Sequence, residues 1–196
     1  MPFFELLKDG TSYIINRKIM VIDDGIWLSV QDIICQGEHE VKEYFHLDSG
    51  VKATEEKGVW KLEQEGVILK VYSEKLLYKE NGVISKKYNE LVETSILTKA
   101  HRMENRMTDC TLFVAENIEV KPAEVYQVGK EAKASKEFVT AWDIVVAGQR
   151  KWTLLIWNRE TFRGGKMYLC HGVPVYGKAV ALKWEDAGVK RIRMKT

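Results

Sequence analysis

Proline is nearly missing from this sequence of 196 residues: only Pro2, Pro122 and Pro174 occur, and no Ser/Gly/Pro-rich linker divides it. One continuous domain over residues 1–196 is the expectation. The cysteines Cys35, Cys110 and Cys170 are few, odd in number and far apart. Without CxxC spacing they exclude a zinc ribbon or a dense disulfide framework and read as buried or half-buried free thiols on strands. No run approaches the roughly 20 apolar residues that span a bilayer, so no membrane span is expected. The opening MPFFELLKDG has no basic n-region, and Glu5 cuts its apolar patch short, which argues against a signal peptide. The chain as given reads as soluble, with the compartment of its parent protein left open. Charge of a single sign is missing too: 30 Lys+Arg against 28 Asp+Glu leave a formal +2. That balance gives no long-range field favouring nucleic acid or an anionic membrane, although a local basic patch would still serve a polyanion.

Catalytic signatures are equally sparse. The histidines His39, His46, His101 and His171 form no HExxH and no other spacing that points to a metal. His39 and His46 are seven apart, so on one strand they point to opposite faces and do not share a ligand. His46, between Phe45 and Leu47, reads as a strand histidine hydrogen-bonded at a sheet face. No GxSxG elbow or GxxxxGK[ST] loop occurs, and Gly164-Gly165 in NRETFRGGKMY reads as a strand-to-strand turn. Glu38, Glu40 and Glu43 alternate with apolar or basic residues as a solvated strand face does. No residue is therefore assigned a catalytic, cofactor-binding or metal-binding role, and no cofactor is expected.

What is present is strand periodicity. In IWLSVQDII, Ile26, Leu28, Val30 and Ile34 fall on one face and Trp27, Ser29, Gln31 and Ile33 on the other. Asp32 breaks the apolar face, which a sheet tolerates only with a donor close by. RKIMVI joins this segment through Asp23-Asp24-Gly25, a hairpin signal. Val41, Phe45 and Leu47 continue the alternation, and VWKLEQ and VILKVYS form a second hairpin about Glu65-Gly66, with Trp60 and Leu62 answering Val67, Leu69 and Val71. CTLFVA, FVTAWDIVVA, KWTLLIW, KMYLCHG and GKAVALKW are each strand-length. Glu90 to Arg106 is open to helix or strand, with Thr94, Ser95, Ile96 and Thr98 favouring strand. The fold class expected is all-β, an antiparallel β-sandwich of many short strands: 1–15 an irregular lead-in, 16–184 core strands, 185–196 a terminal strand or tail. The six tryptophans, Trp27, Trp60, Trp142, Trp152, Trp157 and Trp184, suit either sugar platforms or the space between sheets.

The run RKIMVIDDGIWLSVQDIICQGEHEVKEYFHL resembles the opening of the C-terminal domain of the heparinase II/III-like polysaccharide lyases, through Arg17, Asp32, Gly37, His39, Phe45, His46 and Leu47. ISKKYNE is similar to that family's Ser-x-x-Tyr-Gly stretch, keeping Ser85 and Tyr88 with Asn89 in place of Gly, and CTLFVA is similar to its Thr-Leu strand. The resemblance implies an antiparallel sandwich packed on an α/α-toroid domain that carries most of the cleft. It implies cleavage of acidic polysaccharides by β-elimination: a donor neutralises the uronate carboxylate, a Tyr or His takes the C5 proton, and a Tyr protonates the leaving oxygen. The toroid has no counterpart in this sequence and no catalytic residue carries over. His39 and His46 match family positions that read as structural. The expectation is a non-catalytic or accessory sandwich domain of such a lyase, its partners an acidic polysaccharide and a toroid. The alternative is a stand-alone carbohydrate-binding or structural sandwich.

Overall fold

The computed structural model describes residues 3–6, 12–129, 132–158 and 167–194, and every regular element among them is a β-strand. All pairings are antiparallel. The largest sheet comprises β1 (Phe3–Leu6), β2 (Ser12–Asp23), β3 (Ile26–His46), β4 (Lys52–Glu56), β5 (Val59–Gln64), β6 (Val67–Tyr72), β7 (Leu77–Lys87) and β8 (Glu90–Ala115), ordered β1-β2-β3-β8-β6-β5-β4 with β7 also on β8. A second sheet, in the order β16-β15-β12-β11-β9, holds β9 (Ile118–Pro122), β11 (Val139–Val146), β12 (Gln149–Trp157), β15 (Ala179–Glu185) and β16 (Gly188–Met194). A third, small sheet is built of β10 (Val125–Gln127), β13 (Tyr168–Cys170) and β14 (Val173–Val175).

Alternation makes these layers stack. Ile26, Leu28 and Val30 of β3 and Cys110, Leu112 and Val114 of β8 face Trp142, Ile144, Trp152, Leu154 and Ile156 of the second sheet across the main core. The other face of that second sheet, through Val139, Ala141, Leu155, Trp157, Val180 and Leu182, packs on Tyr168, Cys170 and Val175 of the small sheet. Covered on both faces, β11 and β12 read as near-continuous apolar runs rather than alternating ones. Two aspartates tie the first sheet to the second: Trp152 Nε1 donates to Asp23 Oδ2 at 2.9 Å, and Lys178 Nζ meets Asp32 Oδ2 at 2.6 Å.

Both hairpins form where the sequence places them, the first with a register shift between Val21 and Asp23 and the second with the facing residues read from the sequence. Trp60 lies opposite Val71 and Leu62 opposite Leu69, and Glu65 and Gly66 both have positive φ (51° and 81°), as a twist-matched two-residue turn requires. Residues 90–106 are strand, within β8. The stretch read as an irregular lead-in carries β1 and the start of β2, and the terminal stretch carries β16. Gly164-Gly165 lies outside the described residues.

The strand that most shapes the molecule is β8, because it folds back on itself. A strand advances about 3.4 Å per residue, so Lys99 and Asp109 on a straight β8 would lie over about 30 Å apart. Instead Lys99 Nζ sits 2.6 Å from Asp109 Oδ2 and donates to Thr111 Oγ1 at 2.7 Å. The corner is an irregularity between Ile34 and Glu38 opposite Asn105, where Gly37 (φ 84°) and Asn105 (φ 58°) take left-handed conformations and Gly37 N–H donates to Asn105 Oδ1 at 3.1 Å. The β3–β8 ribbon thus forms two leaves closed face to face, with the Phe45 ring edge-on to Phe113 at 5.6 Å. Leu47, Ala53, Trp60, Val71, Leu77 and Leu97 form a third core at the far end.

The corner overturns two parity readings. Ile34, grouped with Ile26, Leu28 and Val30, is 39% exposed because the irregularity begins there. Glu43, grouped with Glu38 and Glu40 as a solvated face, is only 2% exposed: its odd number puts it with Phe45 and Leu47 between the leaves.

Candidate functional site

Where the two leaves and the second sheet diverge, an open cleft of about 1050 Å³ forms. Its floor is the run Arg102–Asp109 of β8 together with Glu38, His39 and Glu40 of β3. Glu74 and Lys75, from the short link between β6 and β7, form one wall; Lys136, Thr140, Trp157, Asn158 and Lys178 form the other. Backbone and side-chain bonds of Asn158 hold that junction: its carbonyl accepts from Thr108 N–H at 3.2 Å, and its amide Nδ2 donates to the Lys136 carbonyl and to Thr140 Oγ1, each at 3.0 Å.

Asp32 anchors the base of the cleft. Arg106 Nη2 lies 3.1 Å from its Oδ2, Thr108 Oγ1 donates to Oδ1 at 2.9 Å, and Lys178 reaches across from the second sheet. Burial would raise the Asp32 pKa, but Lys178, Arg106 and Thr108 outweigh it and hold the carboxyl below its usual range. The donor that the sequence demanded beside Asp32 is thus present three times over.

Arg106 and Lys178 are committed to Asp32, and Lys136 to Glu74 at 3.0 Å. Arg102 and Lys75 are exposed cations of the lining that no carboxylate engages among the described residues. Glu38 and Glu104 stand directly opposite one another in the β3–β8 register. The cleft lining is therefore mixed in charge: Glu38 and Glu104 cluster on the floor, while Glu40 stands opposite Arg102 and Glu74 precedes Lys75.

Behind the floor lies a buried charged cluster. Lys99 (0% exposed) ion-pairs with Glu43 at 2.9 Å as well as with Asp109, and Arg17 reaches Glu43 at 3.1 Å. Burial works against the Lys99 ammonium, yet Asp109 and Glu43 win and push its pKa up. Both ring nitrogens of His101 are buried with no hydrogen-bond partner among the described residues. Burial lowers its pKa, opposed by Asp109 and supported by Lys99 and Lys75.

The residues carrying the family resemblance scatter. His39 lines the cleft, its Nε2 2.7 Å from the Gln36 carbonyl oxygen, whereas His46 is exposed and tilted against Tyr44 at 6.3 Å. Leu47 is core, Phe45 packs between the leaves and Gly37 makes the corner. Ser85 Oγ donates to the Lys87 carbonyl at 2.7 Å, and Tyr88, 94% exposed, tips the β7–β8 hairpin. Asn89 there has φ 60°, which explains why Asn replaces Gly: it is the residue that best tolerates this conformation after glycine. His171 lies elsewhere, its Nε2 3.0 Å from Asp143, which also accepts from Thr153 at 2.6 Å. Trp60, Trp142, Trp152 and Trp157 are buried and Trp27 and Trp184 half-buried, so tryptophan fills the layers rather than forming an exposed sugar platform. The exposed aromatics among the described residues are Tyr44, Tyr88, Phe138 and Tyr176.

With this geometry in view, the comparisons with known proteins concern the fold. The chain is similar to the crystal structure of heparan sulfate lyase HepC from Pedobacter heparinus, with TM-score 0.53 and 12% identity over 81% of this chain and 26% of that one. A HepC mutant gives TM-score 0.54 and 11% identity over 80% of this chain and 25% of that one. This chain thus spans about a quarter of the length of these lyases. No known family model matches the sequence, and no curated protein matches it. The β-sandwich fold is shared with these lyases.

Proposed function

We propose that this chain is the accessory sandwich portion of a polysaccharide lyase of the heparinase II/III-like kind, holding an acidic polysaccharide while an α/α-toroid partner domain carries out the elimination. The observation that carries this reading is the open polar cleft, with Lys75 and Arg102 exposed on it and in no ion pair among the described residues, in a fold shared with a heparan sulfate lyase. A uronate or sulfate group would engage those two cations, and the sugar hydroxyls would meet the polar floor at His39, Asn105 and Glu104. β-Elimination asks for a base at C5 and an acid at the leaving oxygen; among the described residues the lining includes no tyrosine, and His39 is already turned to the Gln36 carbonyl. Supply of those groups by the partner domain agrees with this lining. Affinity electrophoresis through gels containing heparin, alginate or hyaluronan tests the reading. At least one polymer retards the chain, more at low salt than at high. Unchanged mobility in all three contradicts it.

A further inference from the structure

At the end of the second sheet from which Lys178 reaches into the cleft, a second cationic group faces away from it. Arg191 and Arg193 are alternate residues on edge strand β16, so they share a face, and both stack on Tyr176, which follows β14. The Arg191 Cζ lies 4.3 Å and the Arg193 Cζ 3.9 Å from the Tyr176 ring centroid, which sets the two guanidiniums within about 8 Å of each other. The Arg191 fork is fixed: Nη1 donates to the Pro174 carbonyl at 2.8 Å and Nη2 to Tyr176 Oη at 2.9 Å. Neither guanidinium has a carboxylate partner among the described residues.

Two like charges held together on one ring, one of them clamped by neutral acceptors, have no balancing anion among the described residues. Protection of an edge strand from pairing asks only for charge, and lysine serves it equally well. The Arg193 guanidinium stacked on that ring suits a planar or tetrahedral oxyanion that accepts two parallel hydrogen bonds, while Arg191, with both Nη atoms engaged by Pro174 and Tyr176, adds its charge and its remaining N–H groups. We propose that Tyr176, Arg191 and Arg193 form an anion subsite for the carboxylate or sulfate ester of an acidic sugar. The subsite lies beyond the cleft: Arg193 pairs with Val180, two residues from the cleft-lining Lys178. The choice of an acidic sugar over another oxyanion rests on the function proposed above; the anion site itself does not.

The test follows arginine side-chain NMR signals while the full chain is titrated separately with inorganic sulfate, glucuronate and a sulfated uronate disaccharide. Signals of Arg191 and Arg193 shift saturably, and the ranking of sulfate against glucuronate separates sulfate-ester from carboxylate preference. R191Q/R193Q weakens disaccharide binding about tenfold and R191K/R193K about threefold or more despite unchanged charge. K190Q, which removes one charge from the opposite face of β16, changes it less than about twofold. Unshifted arginine signals, or equal affinity for the wild type and R191K/R193K with unaltered melting temperatures, overturns the subsite. If sulfate shifts Arg193 but no polysaccharide binds the chain, the subsite stands and the proposed function fails. If cleft substitutions abolish polysaccharide binding while R191Q/R193Q does nothing, the function stands and the subsite fails.

Discussion

Substitution of Lys99 by Met probes the folded-back ribbon directly, because its partners lie in different leaves. Lys99 and Asp109 belong to one strand, yet their charges are 2.6 Å apart, with Glu43 on the facing strand at 2.9 Å. Lys99→Met keeps most of the volume and removes the charge, leaving Asp109 buried without its cation and Glu43 with Arg17 alone. Removing one side of a buried ion pair costs about 3–5 kcal/mol. At about 2–4 °C per kcal/mol for a chain of this size, the melting temperature falls by roughly 6–20 °C. Urea unfolding followed by circular dichroism measures the loss, and a double-mutant cycle with Asp109→Asn isolates the cross-leaf contact, with a coupling of about 1–3 kcal/mol expected. A coupling below about 0.5 kcal/mol would refute the reasoning, since residues over about 30 Å apart on a straight strand do not couple. The ammonium is held above its unfolded pKa, so its contribution is complete below pH 10.5 and is lost as pH rises through the folded value. K99M lacks that alkaline loss.

Further expectations concern the staple and the hairpin. Asp32→Asn leaves Lys178 and Arg106 without their carboxylate and lowers stability at neutral pH by about 1–3 kcal/mol in chemical denaturation. Because the Asp32 pKa is depressed, its contribution is present above pH 3.8 and fades as pH falls through the folded value, so wild type and D32N converge in acid; a gap that persists unchanged to strongly acid pH contradicts this. Gly25→Ala combines a φ of 71° with a Cβ 2.9 Å from Ala115 Cβ, whereas Gly58→Ala has φ 82° and open space. Both pay about 1 kcal/mol or more in backbone strain, and thermal melts show G25A as the less stable of the two; equal losses would mean that the close approach costs nothing.

Local signals made much of this fold legible. The Asp-Asp-Gly and Glu-Gly turns fix two hairpins by chemistry that acts over a few residues, and the alternation of Trp60 and Leu62 carries the register of the second. Asp32 in an apolar face announced its donors without naming them, because Lys178 is the residue that leads into β15 of another sheet. Strand parity failed where the chain left the plain pleat: once Gly37 and Asn105 turn the corner, Ile34 goes to solvent. The buried cluster had a signal that periodicity contains, since Leu97, Lys99, His101 and Met103 share one parity on β8, and so do Glu43 and Phe45 on β3 and Leu47 just past its end. A charge repeated on an apolar face of each of two paired strands is the pattern of a buried ion pair. The cleft had none: its walls come from β3, β8, the β6–β7 link and the second sheet, which only the fold-back brings together.

Titration calorimetry of the chain with the retarding polymer, with absorbance of unsaturated uronate followed in the same samples, tests the central claim most directly. The account predicts saturable binding that K75Q/R102Q weakens about tenfold, with no rise in absorbance from the chain alone. Binding indifferent to K75Q/R102Q, or elimination by the unaided chain, would contradict it.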